Sequence, residues 1–173
     1  MLKTIYKENS MDKLKISDVS SNPIDELVKE NVIDSELTSN VVIIPDKTYS
    51  EKDSVVWTFP EGTEDFYDYL NKHVHLLGAV DIAEGNTGEL QQHNDLLELA
   101  TIVISTPAIS ILINVVSSYI YDYLKIKKKP ADKVDVKLKI VKKGKTKTTE
   151  LEFNGTAEDF EKIMGSINDK DYD

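Results

Sequence analysis

A chain of 173 residues with 40% apolar and 30% charged residues is long enough for one domain with a real core, which argues against disorder throughout. It has no cysteine, so disulfide scaffolds, thiolate metal sites and cysteine nucleophiles are excluded together. All 21 basic residues are lysine; with no arginine, the residue best suited to bidentate phosphate recognition is missing, and the net charge of −10 opposes general nucleic-acid binding.

That average hides three blocks. Residues 1–98 carry −12, residues 125–147 carry +9 and residues 148–173 carry −6, so a basic stretch lies between two acidic ones. The Lys-, Ile-, Asn- and Asp-rich composition is that of an AT-rich bacterium or its phage. The N-terminus lacks the apolar run of a secretory signal, and a cytoplasmic location is expected.

Residues 1–38 read as a polar extension. Lys13 to Ile16 suggests a short edge strand, and Pro23 after the capping residue Asn22 starts a helix over about 23–32. Residues 39–88 read as a strand-strand-helix unit. Its strands are Val41–Ile44 and Ser54–Phe59; its helix runs from Glu64 to about Leu77, with Phe66, Tyr69, Leu70, Val74 and Leu77 as the buried stripe. Gly78 to Ile82 suggests a short third strand, before a loop at Gly85–Gly88.

Residues 89–129 read as one long apolar helix, kinked at Pro107. From Leu99 to Tyr121 it holds 23 uncharged residues, enough to cross a bilayer, and lysines follow as at a cytoplasmic helix end. Two readings stay open: a helix buried in a core or oligomer, favoured by Ser105, Thr106, Ser110 and Asn114 near its middle, and a single inner-membrane span. Ser110, Asn114, Ser117 and Tyr121 share a face by their spacing and form the candidate helix–helix interface. Lys125, Lys127, Lys128 and Lys129 form a candidate anion or lipid patch.

Residues 130–173 read as a β-hairpin, a last helix capped by Thr156 with Asp159 at capping-box spacing, and an acidic tail. The hairpin alternates apolar and polar residues, so one face is buried and one is wet. The fold class is therefore α+β, with two small strand-strand-helix units flanking a long, Pro-kinked apolar helix. An internal echo joins the two units: Phe59-Pro60-Glu61-Gly62-Thr63-Glu64-Asp65-Phe66 parallels Phe153-Asn154-Gly155-Thr156-Ala157-Glu158-Asp159-Phe160.

No catalytic, cofactor or metal set emerges, and the chain reads as a non-enzyme. His73 and His75, two apart on a helix, point in different directions, and His93 stands alone. Gly144-Lys145-Thr146 imitates the end of a phosphate loop but has Lys139 where the first glycine belongs. No aromatic residue lies between Lys125 and Lys147, so base stacking has no support.

The order of parts resembles one family. The helix Glu64-Asp65-Phe66-Tyr67-Asp68-Tyr69-Leu70 leads to a β-like stretch and Gly85-Asn86-Thr87-Gly88-Glu89-Leu90, then a long small-and-apolar helix ending in Tyr121-Asp122-Tyr123-Leu124 plus lysines, a hairpin, and Thr156-Ala157-Glu158-Asp159-Phe160. Over roughly residues 40–168 this layout is similar to the effector-associated constant component family of bacterial conflict systems. It departs at Tyr123-Leu124, where the family commonly has Trp-Leu, and at Lys143-Gly144, where its turn is typically Asp-Gly. The resemblance implies a non-catalytic partner of an effector encoded nearby, or a homo-oligomer. Alternatives from other classes are a single-pass membrane effector or sensor and a phage-encoded binding or inhibitor protein.

Overall fold

The computed structural model describes residues 13–35, 37–74, 77–91, 96–105, 108–127, 133–142 and 147–167. In chain order the elements are β1 (Leu14–Val19), α1 (Pro23–Lys29), β2 (Val41–Ile44), β3 (Asp46–Tyr49), β4 (Val55–Pro60), α2 (Thr63–His73), β5 (Val80–Ile82), β6 (Gly88–Leu90), β7 (Leu96–Glu98), β8 (Thr101–Ile104), α3 (Ile109–Lys127), β9 (Lys133–Val141), β10 (Thr148–Gly155) and α4 (Ala157–Met164). The α+β class holds. One seven-stranded sheet runs β1-β10-β9-β8-β2-β5, with β7 also lying against β9; a second sheet has the order β3-β4-β6.

Local chemistry explains several elements directly. Asn22 Oδ1 accepts from the Ile24 amide at 2.9 Å, and Pro23 opens α1. Thr156 caps α4 by accepting from the Asp159 amide at 3.2 Å. Strands β9 and β10 form the expected antiparallel hairpin, with Leu138 opposite Leu151 and Val136 opposite Phe153 on its buried face. The predicted edge strand is β1, paired with β10 alone.

The central segment departs from expectation. Residues 89–129 are not one helix: three strands precede α3, and the kink predicted at Pro107 lies outside the described residues. Thr101-Ile102-Val103-Ile104 is buried on both faces, between β9 on one side and β2 on the other. A strand covered on both faces is apolar throughout, and periodicity does not separate it from a buried helix. No described helix is long and apolar enough to cross a membrane.

Nor do Val41–Ile44 and the second predicted strand pair with each other. Strand β2 sits between β8 and β5, while β4 pairs with β3 and β6. Pro45 stands between β2 and β3, and the chain passes from one sheet to the other across it. Proline has no N–H to give a ladder, so pairing is broken there. The helix predicted to about Leu77 ends at His73, and α1 ends at Lys29 rather than near residue 32.

Helices α2, α3 and α4 cover one face of the large sheet. Their core joins Phe66, Leu70, Leu112, Val116, Ile120 and Phe160 to Ile43, Ile102, Ile104, Leu138 and Phe153. On the other face α1 and Trp57 pack over Val42, Ile44 and Val103. Beyond them, the outer faces of β1, β10 and β9 carry charged side chains.

Candidate functional site

Helix α3 lies between α2 and α4 on the sheet. Ile109, Leu112, Ile113, Val116, Tyr119 and Ile120 recur at three- and four-residue spacing and are buried. The opposite crest is exposed at Ile111, Asn114, Ser118 and Tyr121, so it carries no charge over nearly three turns. Of the predicted interface residues, Asn114 and Tyr121 stand on this crest, whereas Ser110 and Ser117 are half-buried at its rim. Ser118, which spacing did not single out, takes the place expected of Ser117, and its hydroxyl donates to the Asn114 carbonyl at 3.0 Å.

Tyrosines and acids flank the crest. The Tyr121 hydroxyl donates to Glu161 of α4 at 2.8 Å, and the Tyr69 hydroxyl of α2 donates to Asp122 at 3.3 Å. The Tyr119 ring lies 4.9 Å from Phe66 and 5.1 Å from Tyr69. His73, offered by the sequence only as a weak ligand, stacks on Tyr69 at 4.1 Å, and its Nδ1 lies 2.8 Å from the Tyr69 carbonyl; His75 and His93 lie outside the described residues. Burial, with Asp65 nearby, pushes the Tyr119 phenol up to about 12. The bond to Glu161 raises Tyr121, and burial followed by Asp122 raises Tyr69. All three therefore remain protonated donors at neutral pH.

The predicted lysine patch is placed only in part. Lys125 is exposed on α3 and Lys127 ends that helix, while Lys128 and Lys129 lie outside the described residues. Further along the basic block the folded chain distributes neutralising acids. Lys137 meets Asp46 at 2.9 Å, Lys139 meets Glu150 at 3.0 Å and Lys147 meets Asp18 at 2.8 Å. Lysines contiguous in charge along the sequence are thus divided among separate ion pairs.

The sequence did not point to a polar cluster on the open face of the sheet. Residues 99–101 oppose only 136–137 between the β7 and β8 pairings with β9, which is a one-residue bulge. The bulge puts Glu98 and Thr101, three apart, on the same face of the sheet, where Thr101 is buried. Thr101 donates to Asp46 at 2.8 Å, and Asp46 bonds Lys137. Burial raises the Glu98 and Asp135 carboxyls, with Lys137 opposing the shift and neighbouring acids adding to it. Beside the cluster runs a groove of about 230 Å³ whose walls include Lys15, Asp135, Lys137, Glu152 and Asn154. The alternation of β9 placed Asp135 and Lys137 on one face legibly; nothing local announced that Asp46 and Glu98 would join them. Among the described residues every buried side-chain nitrogen and oxygen has a partner, and no group of three or more His, Asp or Glu is arranged to hold a metal. One lysine thus stands among three carboxyls, and Asp46 is tied to both Thr101 and Lys137.

No family model matches the chain, and no curated protein or solved structure matches it.

Proposed function

We propose that the chain is a non-catalytic interaction component of a bacterial defence or conflict system. It acts in the cytoplasm by assembling, through the outer face of α3, with a protein partner encoded nearby or with further copies of itself. The observation that carries this reading is the crest of α3. In a chain with 30% charged residues, Ile111, Asn114, Ser118 and Tyr121 present an uncharged, exposed strip of aliphatic, small polar and aromatic side chains. Small residues allow a neighbouring backbone close approach, and a half-exposed tyrosine bonded at its hydroxyl is the kind of group that anchors protein interfaces. The resemblance of the order of parts in the sequence to the conflict-system family supports the same reading.

The test is co-expression with the products of the flanking genes, followed by mass determination by light scattering. The wild-type chain is expected to run as an oligomer or as a complex with one of those products. Ser118→Arg, which places a long cation on the crest, returns it to a monomer with an unchanged melting temperature; Asn114→Leu alters the assembled mass. A monomeric wild type with no complex, or variants assembling like wild type, would overturn the proposal.

A further inference from the structure

An exposed strip on one helix is too small to hold a partner alone. Nineteen residues of α-helix span about 28 Å, and a strip about 10 Å wide on it offers roughly 280 Å², against about 800 Å² per partner in an ordinary stable interface. A partner seated on α3 must therefore also cover the outer sides of α2 and α4.

Those sides are acidic. On α2, Glu64, Asp65 and Asp68 are exposed; on α4, Glu158 and Glu161 are exposed; Asp122 belongs to α3 itself. Among the described side chains of these three helices the exposed lysines are Lys72, Lys125 and Lys162, and Lys162 lies 3.1 Å from Glu158. Helix-end electrostatics account for Glu64, Asp65 and Glu158, which lie in first turns. They do not account for Asp68 and Glu161, beyond the first turn, nor for Asp122, which lies toward the negative end of α3.

Resting on the proposed docking face, we infer that the occupant is a basic amphipathic helix. Its apolar stripe would lie on Ile111, Asn114 and Ser118, and its flanking lysines or arginines would reach the acids of α2 and α4. Tyr121, exposed and aromatic, adds a ring over which a cation can sit. Between Ile111 and Tyr121 the pattern is a neutral seam flanked by the acids of α2 and α4, and the complementary partner has a neutral seam flanked by cations.

The test uses the full chain and two synthetic amphipathic 20-residue helices of the same Leu/Ala stripe, one flanked by lysine and one by glutamate, read by fluorescence anisotropy. The lysine peptide is expected to bind and the glutamate peptide not to. Asp68→Lys with Glu161→Lys should weaken the lysine peptide by about tenfold or more. Glu51→Lys with Glu84→Lys, which changes the net charge equally at exposed positions away from this face, should leave binding within about twofold. Equal losses in both double variants, or equal binding of both peptides, would overturn the inference. With the flanking-gene partner, loss of the complex in Ser118→Arg but not in Asp68→Lys/Glu161→Lys would leave the docking face standing and remove the basic occupant. Loss in neither would remove both.

Discussion

Lys137 Nζ lies 2.9 Å from Asp46 Oδ2, so a central strand of the large sheet is tied to the first residue of the small one. Each side chain is about three-tenths exposed, at 31% and 26%, and the carboxyls of Glu98 and Asp135 act on the same lysine. Burial is the largest single influence and pushes its ammonium down, but Asp46, Asp135 and Glu98 together outweigh it and hold the group above the usual lysine range.

Lys137→Met should therefore destabilise the protein by about 2 kcal/mol, between the small value of an exposed pair and the 3–5 kcal/mol of a fully buried one broken on one side. The loss arises because three carboxylates then share a half-buried site with no central cation. Asp46→Asn in the same chain should restore part of it. Urea unfolding at pH 7 measures both; a loss under about 0.5 kcal/mol would mean that water already screens the cluster.

Asp135→Asn should act in the opposite direction. Burial holds the Asp135 carboxyl above the usual carboxylate range, so its ionised form is penalised in the folded state. The sign follows from linkage: the folded chain holds this proton more tightly than the unfolded chain. The penalty is complete above the raised folded value, and it disappears as pH falls below the ordinary value. Asp135→Asn is thus expected to be more stable than wild type at pH 7–8, with the difference closing toward pH 3.5. Asp18 and Asp159, whose carboxyls lysine partners hold low, contribute oppositely in both proteins and cancel in the comparison. A variant less stable than wild type at pH 8 would show that the ionised carboxylate is needed by Lys137 more than burial opposes it.

The two strand-to-helix junctions that echo each other in sequence should respond to different substitutions. Gly62 precedes α2 at φ +83° with no side-chain cap, whereas Thr156 precedes α4 in an extended conformation and caps it through its hydroxyl. Gly62→Ala should cost about 1–2 kcal/mol through the left-handed backbone, and Thr156→Ala about 1 kcal/mol through the lost cap. Exchanging the two solutions, Gly62→Thr and Thr156→Gly, separates them further: the first should be the more damaging, since Thr is β-branched and Gly is a tolerated cap. Thermal unfolding of the four variants tests the ordering.

The echo also shows how far local reading reached. Phe59 with Phe66, and Phe153 with Phe160, are buried in one core, as the matching patterns required. The cap of α1 by Asn22, the cap of α4 by Thr156 and the β9–β10 hairpin were equally legible, because each depends on residues within a few positions. The α3 face was half legible. Helical spacing found Asn114 and Tyr121, but the position of the helix between α2 and α4 decided that Ser118, rather than Ser117, stands on the crest.

By itself the sequence determined where chain direction and local hydrogen bonds change: at Asn22-Pro23, at Gly62, at Thr156, and along the alternating strands of the hairpin. Those choices rest on short-range sterics and capping, which a few neighbouring residues decide. Only the tertiary structure decided that Thr101–Ile104 is a strand, since an apolar run buried on every side satisfies a sheet centre and a core helix equally. It alone also brought Asp46, Glu98, Asp135 and Lys137 into one cluster and divided the lysine block among distant acids, because Coulomb interactions act through space between groups whose separation along the chain carries no signal.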